Sequence, residues 1–116
     1  MRVIVTGGGS GGHIYPAIAI ADKIKEKEPE SEILYIGNDI GLEKDIVPQT
    51  GYPMELVSAK WLDRRNILKI FDTGFSTMRG IRQAYKIMKK FKPDAVIGTG
   101  GFVCVPVMYA GHKYGA

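Results

Sequence analysis

Thr6-Gly7-Gly8-Gly9-Ser10-Gly11-Gly12-His13 sets an imidazole at the end of a run in which five of eight residues lack a β-carbon. Backbone N–H groups in such a run can crowd against a ligand where larger residues would clash. Placed ahead of a helix, they suit something anionic or strongly polar. His13 falls in the first turn of that helix, where the positive end of the dipole disfavours imidazolium. A neutral ring there is available as a general base or a hydrogen-bonding group, or serves as a capping or packing histidine. Gly7, Gly9 and Gly12 also satisfy the G-x-G-x-x-G spacing of a dinucleotide-binding turn. The confirming acid should end the second strand, yet Gly37-Asn38 stands there and Asp39 follows one or two positions late. A tight strand–helix turn with no ligand satisfies the spacing equally well.

Gly98-Thr99-Gly100-Gly101 repeats this logic further along the chain. In open α/β sheets, ligands sit outside the carboxyl ends of the strands. Two glycine turns on one such edge therefore point to one cleft and to a bound ligand. Cys104 follows the second turn near a helix start, a place that favours thiolate. With no histidine local to it, Cys104 reads as structural.

The elements that must carry these loops follow from the apolar pattern. Arg2–Thr6 is short, β-branched and bounded by glycine, as a buried parallel strand should be. Ile14, Ala17, Ile18, Ala21 and Ile24 recur at helical spacing, with Pro16 expected in the first turn and an end near Lys27. Ile33–Ile36 gives a second strand, and residues 41–47 a short helix stopped by Pro48. Residues 52–57 give a third strand that Pro53 confines to an edge or a strand start. Ile67, Ile70, Phe71, Phe75, Met78, Ile81, Tyr85 and Met88 mark a long amphipathic helix over 66–91, with Gly74 and Gly80 as points for a break or kink. Ala95–Ile97 is a fourth strand, and 102–114 a last helix. The order β-α-β-(α)-β-α-β-α predicts an α/β fold, an open parallel Rossmann-like sheet with right-handed crossovers.

Charge is unevenly spread. Residues 1–59 carry five basic and nine acidic residues, whereas 60–92 carry ten and two. Arg64, Arg65, Lys69, Arg79 and Arg82 interleave with Ile67, Leu68, Phe71 and Phe75, as in proteins that rest on anionic lipid. A plain amphipathic helix with a solvated basic face is the competing reading. No nucleic-acid module is recognisable, so nucleic acid is not an expected partner. The lone cysteine forms no internal disulfide, and no Cys/His cluster has metal spacing, so neither a metal nor a cofactor is expected. No apolar run nears the roughly 20 residues of a membrane span, and the amino terminus lacks the pattern of a secretory signal.

Residues 5–17, Gly37-Asn38-Asp39-Ile40-Gly41-Leu42-Glu43, Val47-Pro48, Gly51-Tyr52-Pro53 and residues 91–101 together resemble the MurG glycosyltransferases. The resemblance covers essentially the whole chain. It implies the truncated N-terminal half of a GT-B enzyme: residues 1–116 form part of an acceptor-binding domain, and the donor-binding domain is absent. The implied activity is inverting transfer of N-acetylglucosamine from UDP to an undecaprenyl-linked muramyl-pentapeptide in peptidoglycan synthesis, with the 116 residues inactive alone. By the same resemblance, Ser10, Gly11 and Gly12 lie against the donor sugar-nucleotide. His13 is the base for the acceptor's 4-hydroxyl, and Gly8, Gly9, Gly100, Gly101 and Phe102 approach the acceptor pyrophosphate. The stretch around 67–82 matches a membrane-association region, on the cytoplasmic face of the bacterial inner membrane. Phe102 and Cys104 stand where the family usually has tyrosine and serine. Two alternatives stay open: a non-catalytic membrane-recruiting subunit of a split glycosyltransferase, and an NAD-binding oxidoreductase fragment.

Overall fold

The computed structural model of the chain describes residues 1–9, 11–39, 41–59 and 67–116, with the backbone alone for 67–73. Four parallel strands, β1 (Arg2–Thr6), β2 (Glu32–Asn38), β3 (Met54–Val57) and β4 (Ala95–Gly98), form one sheet in the order β3-β2-β1-β4. Val3 pairs with both Ile33 and Ala95, which puts β1 at the centre of the sheet. The period of two in a strand sends alternate side chains to opposite faces. Val3, Val5, Ile33 and Tyr35 pack with Ile14, Ala17, Ile18 and Ala21 of helix α1 (Gly11–Lys27) on one face. On the other, Ile4, Leu34 and Ile36 pack with Ala84 and Met88 of α3 (Ile67–Phe91) and Val107 and Ala110 of α4 (Cys104–Tyr114). The result is the α/β layering and parallel sheet expected from the element order.

Several details differ from the sequence reading. Helix α1 starts at Gly11, so Pro16 lies in its second turn, where it supplies no N–H to the carbonyl of Gly12. Helix α2 is shorter than expected (Glu43–Ile46). Pro48 does not stop it outright, because a 3₁₀ turn (Val47–Thr50) continues the coil with the proline in its first positions. Strand β2 runs two residues beyond Ile36, because Gly37 and Asn38 pair with Leu56 and Val57. Pro53 precedes edge strand β3, and its carbonyl accepts the N–H of Tyr35, so the missing donor costs the sheet nothing. Helix α4 begins at Cys104, two residues later than the apolar pattern implied.

Helix α3 is continuous through Gly74 and Gly80, with no break at either. Gly80 is needed for close packing instead: a β-carbon there would overlap the Ser58 carbonyl and crowd Pro106 of α4. Ser76, Gly80, Ala84 and Met88, four residues apart, are its buried face. Phe75 and Met78, which the periodicity grouped with the core stripe, are 71% and 56% exposed. The helix ends where Lys92 turns left-handed (φ 57) and returns its N–H to Met88, with Pro93 next.

Candidate active site

β1 and β4 lie side by side with Thr6 opposite Gly98, so their glycine loops leave the same carboxyl edge. They pack directly on one another. Thr99 N–H donates to the Thr6 carbonyl (3.0 Å) and Gly8 N–H to the Gly100 carbonyl (3.2 Å). Gly100 and Gly101 both hold positive φ, at 126° and 92°, which glycine adopts freely. A β-carbon on Gly101 would overlap the Gly8 carbonyl, so the double turn closes only because both residues are glycine.

His13, third residue of α1, is half-buried against this second loop. A β-carbon on Gly100 would sit 2.6 Å from its Nδ1, which shows how closely the ring lies on that glycine. The Thr99 hydroxyl donates to the main-chain carbonyl of His13 (2.6 Å), joining the start of α1 to the end of β4. The N–H groups of Gly11, Gly12 and His13, in the first turn of α1, have no carbonyl four residues back within the helix. They supply donors and positive dipole potential beside the imidazole.

Side chains from beneath fix the loops. The Tyr35 hydroxyl donates to the Gly7 carbonyl, and the Thr6 hydroxyl to the Ile36 carbonyl (2.8 Å). Burial, then the nearby Glu43 and Cys104, hold the Tyr35 phenol above its ordinary range, so it stays a donor. Cys104 Sγ donates to the Gly100 carbonyl (3.1 Å) and accepts from the Gly100 N–H (3.3 Å). The helix start does not make it a thiolate. Burial raises its pKa and outweighs the backbone hydrogen bonds that act to lower it, so its role is structural.

Glu43 is the residue that sequence reasoning missed. It is fully buried, and its Oε1 accepts the N–H of Gly9 (2.9 Å) and of Asn38 (3.3 Å). A glutamate opening a short helix ordinarily signals solvent. The available hint was the pair of glycines shortly before it, Gly37 and Gly41, which leave room for its side chain.

Of the residues expected to act, Gly8, Gly9, Gly11, Gly12, His13, Gly100 and Gly101 fall in this one cluster. The N–H groups of Gly8 and Gly9 are bound within the protein. Phe102 is half-buried against the core beneath α3 and α4. Ser10, Arg64 and Arg65 lie outside the described residues. Ile67, Leu68, Lys69 and Phe71 are placed by backbone on α3, which also carries the exposed Phe75, Arg79 and Arg82. Asp39 directly follows β2, closer to the dinucleotide position than the sequence implied. Its N–H donates to Val57, and its carboxylate accepts from the Ser58 hydroxyl (3.4 Å). Among the described residues, no group of three or more His, Cys, Asp or Glu is placed to hold a metal ion. No helix among them is long and apolar enough to cross a membrane.

Residues 3–116 match the model of the glycosyltransferase family 28 N-terminal domain. A UDP-N-acetylglucosamine–N-acetylmuramyl-(pentapeptide) pyrophosphoryl-undecaprenol N-acetylglucosamine transferase from Alkaliphilus oremlandii is 55% identical over 115 residues, covering 99% of this chain and 31% of that protein. The protein of the same name from Clostridioides difficile is 45% identical over 109 residues, covering 94% and 27%. The crystal structure of Acinetobacter baumannii MurG superposes with a TM-score of 0.83 at 25% identity, covering 98% of this chain and 33% of that one. The chain thus spans about a third of the length of the relatives it matches.

Proposed function

Since the chain belongs to the glycosyltransferase family 28 N-terminal domains, we propose that it supplies the acceptor side of a site that moves N-acetylglucosamine from UDP to an undecaprenyl-linked muramyl-pentapeptide. The donor-binding half is supplied outside these 116 residues. The observation that carries this reading is the packing of His13 onto the second glycine loop, at the amino-terminal end of α1. The relatives' shared name supports the substrate pair.

In the proposed step, a His13 ring nitrogen takes the proton of the acceptor's 4-hydroxyl as that oxygen attacks the anomeric carbon. The bond from that carbon to the UDP oxygen breaks with inversion, and UDP leaves with the electron pair. General-base help of this kind contributes about 10²–10⁴-fold. In this reading Gly11 and Gly12 serve the donor sugar-nucleotide. The paired loops at Gly8, Gly9, Gly100, Gly101 and Phe102 shape the wall beside the acceptor pyrophosphate. The positive end of the α1 dipole favours phosphate charge beside it.

The acceptor is lipid-linked, and α3 is the surface that meets the membrane. Phe75 and Met78 stand exposed on the same helix as the exposed Arg79 and Arg82, an arrangement that pairs apolar insertion with anionic headgroups. On this reading the working enzyme sits peripherally on the cytoplasmic face of the bacterial inner membrane.

The test is a chimera in which this chain replaces the matching third of the Alkaliphilus oremlandii transferase. The chimera should transfer N-acetylglucosamine to the lipid acceptor, and the 116 residues alone should not. The chain alone should sediment with vesicles containing phosphatidylglycerol but not with pure phosphatidylcholine, and F75E should weaken that binding. An inactive chimera that folds and binds UDP-N-acetylglucosamine would refute the transfer reading. Equal sedimentation with both vesicles would refute the membrane reading.

A further inference from the structure

The first glycine loop rests on a buried carboxylate that the transfer step does not use. Glu43 Oε1 holds two backbone N–H groups at once, Gly9 of the loop and Asn38 at the end of β2. Its Oε2 is buried with no hydrogen-bond partner among the described residues. Three glycines line its cradle. A β-carbon on Gly8 would overlap Oε1, one on Gly41 would overlap Oε2, and one on Gly37 would come within 2.8 Å of Glu43 Cβ. Gly9 itself turns at φ 89°, with open space on its outer side among the described residues.

These contacts divide the loop into two faces. Gly8 N–H is taken by the second loop, Gly9 N–H by Glu43, and Gly7 carbonyl by Tyr35. With its inner face tied at three successive residues, the chain enters α1 on one fixed path. That path sets where His13 stands. Truncating the Glu43 side chain removes the acceptor from both N–H groups at once, whereas an amide oxygen in its place keeps it.

We propose that Glu43 is a positioning residue for the transfer step, clamping Gly9 to the end of β2 so that the α1 start and His13 are held in one arrangement against the second loop. The inference rests on the transferase reading above. Misplacing a reacting group by about 1 Å costs on the order of 10²-fold in rate.

The experiment uses the same chimera and, in parallel, the 116-residue chain. E43A should lower kcat per folded molecule by about ten- to a hundredfold, with the KM for UDP-N-acetylglucosamine within about twofold. E43Q keeps an acceptor oxygen for both N–H groups and should recover kcat to within about threefold of the parent. In the 116-residue chain, amide exchange at Gly9 and Asn38 should quicken in E43A and stay native in E43Q. If E43A does not fold, E43D, which withdraws the carboxylate by one methylene, should show the same kcat loss in smaller measure. An E43A kcat per folded molecule within twofold of the parent would overturn the proposal, as would an E43Q variant as slow as E43A. An inactive parent chimera would sink the transferase reading, whereas unchanged exchange at Gly9 in E43A would sink the clamp on its own.

Discussion

Cys104 shows how a local rule is outvoted by packing. Its place at the first position of α4 favours thiolate, but its sulfur is turned back onto Gly100 and shielded from solvent. Desolvation is the larger effect, and the folded thiol holds its proton above the free-thiol value of 9.0. The sign follows. With the folded pKa raised, the neutral thiol's contribution to stability is complete below pH 9 and declines as pH climbs above it. At pH 8, iodoacetamide should therefore label Cys104 more slowly than free cysteine, because the thiolate is the nucleophile. In denaturant the two rates should converge. Equal rates on the folded chain would contradict the packing described. Glu43 carries the same lesson in the opposite sense: a residue type that usually faces water is here enclosed by glycines, and its partners are backbone groups that no side-chain pattern reveals.

Among the elements, β1, α1 and β4 were legible because each is bounded by glycine or proline and has one apolar period. Both glycine loops and His13 were legible for the same reason, and the parallel order brought them to one edge. The face of α3 was not. Among the described residues its buried positions are small (Ser76, Gly80, Ala84) until Met88, while Phe75 and Met78 point outward, so periodicity read from bulky residues finds the core at Tyr85 and Met88 and misses it earlier in the helix. Small residues let α3 lie close to α4 and the end of β3, and this closeness is testable. G80A should destabilise the chain by about 1–3 kcal/mol, since its β-carbon meets the Ser58 carbonyl with nowhere to go. G74A meets nothing among the described residues and should stabilise by about 0.5–1 kcal/mol through helix propensity. Thermal melts of the two variants should move in opposite directions. A shared direction would mean that α3 does not pack on Ser58 and Pro106 as described.

At the scale of the molecule, the sheet separates two tasks. Its carboxyl edge gathers the paired glycine loops, His13 and the α1 dipole into one polar site. Helix α3, on one face of the sheet, carries the exposed aromatic and basic residues. A lipid-linked acceptor needs both, because its reacting sugar must reach the loops while its tail stays in the membrane. The chain spans about a third of its relatives' length, so the proposed chemistry is a joint product of this domain and a donor-binding half. In the proposed step, the part these residues contribute is the base, His13. The most direct test is H13A in the chimera with the Alkaliphilus oremlandii transferase, comparing turnover with donor affinity. A base role predicts a kcat lowered by about 10²–10⁴-fold with the dissociation constant for UDP-N-acetylglucosamine unchanged. A kcat within a few-fold of the parent would contradict it.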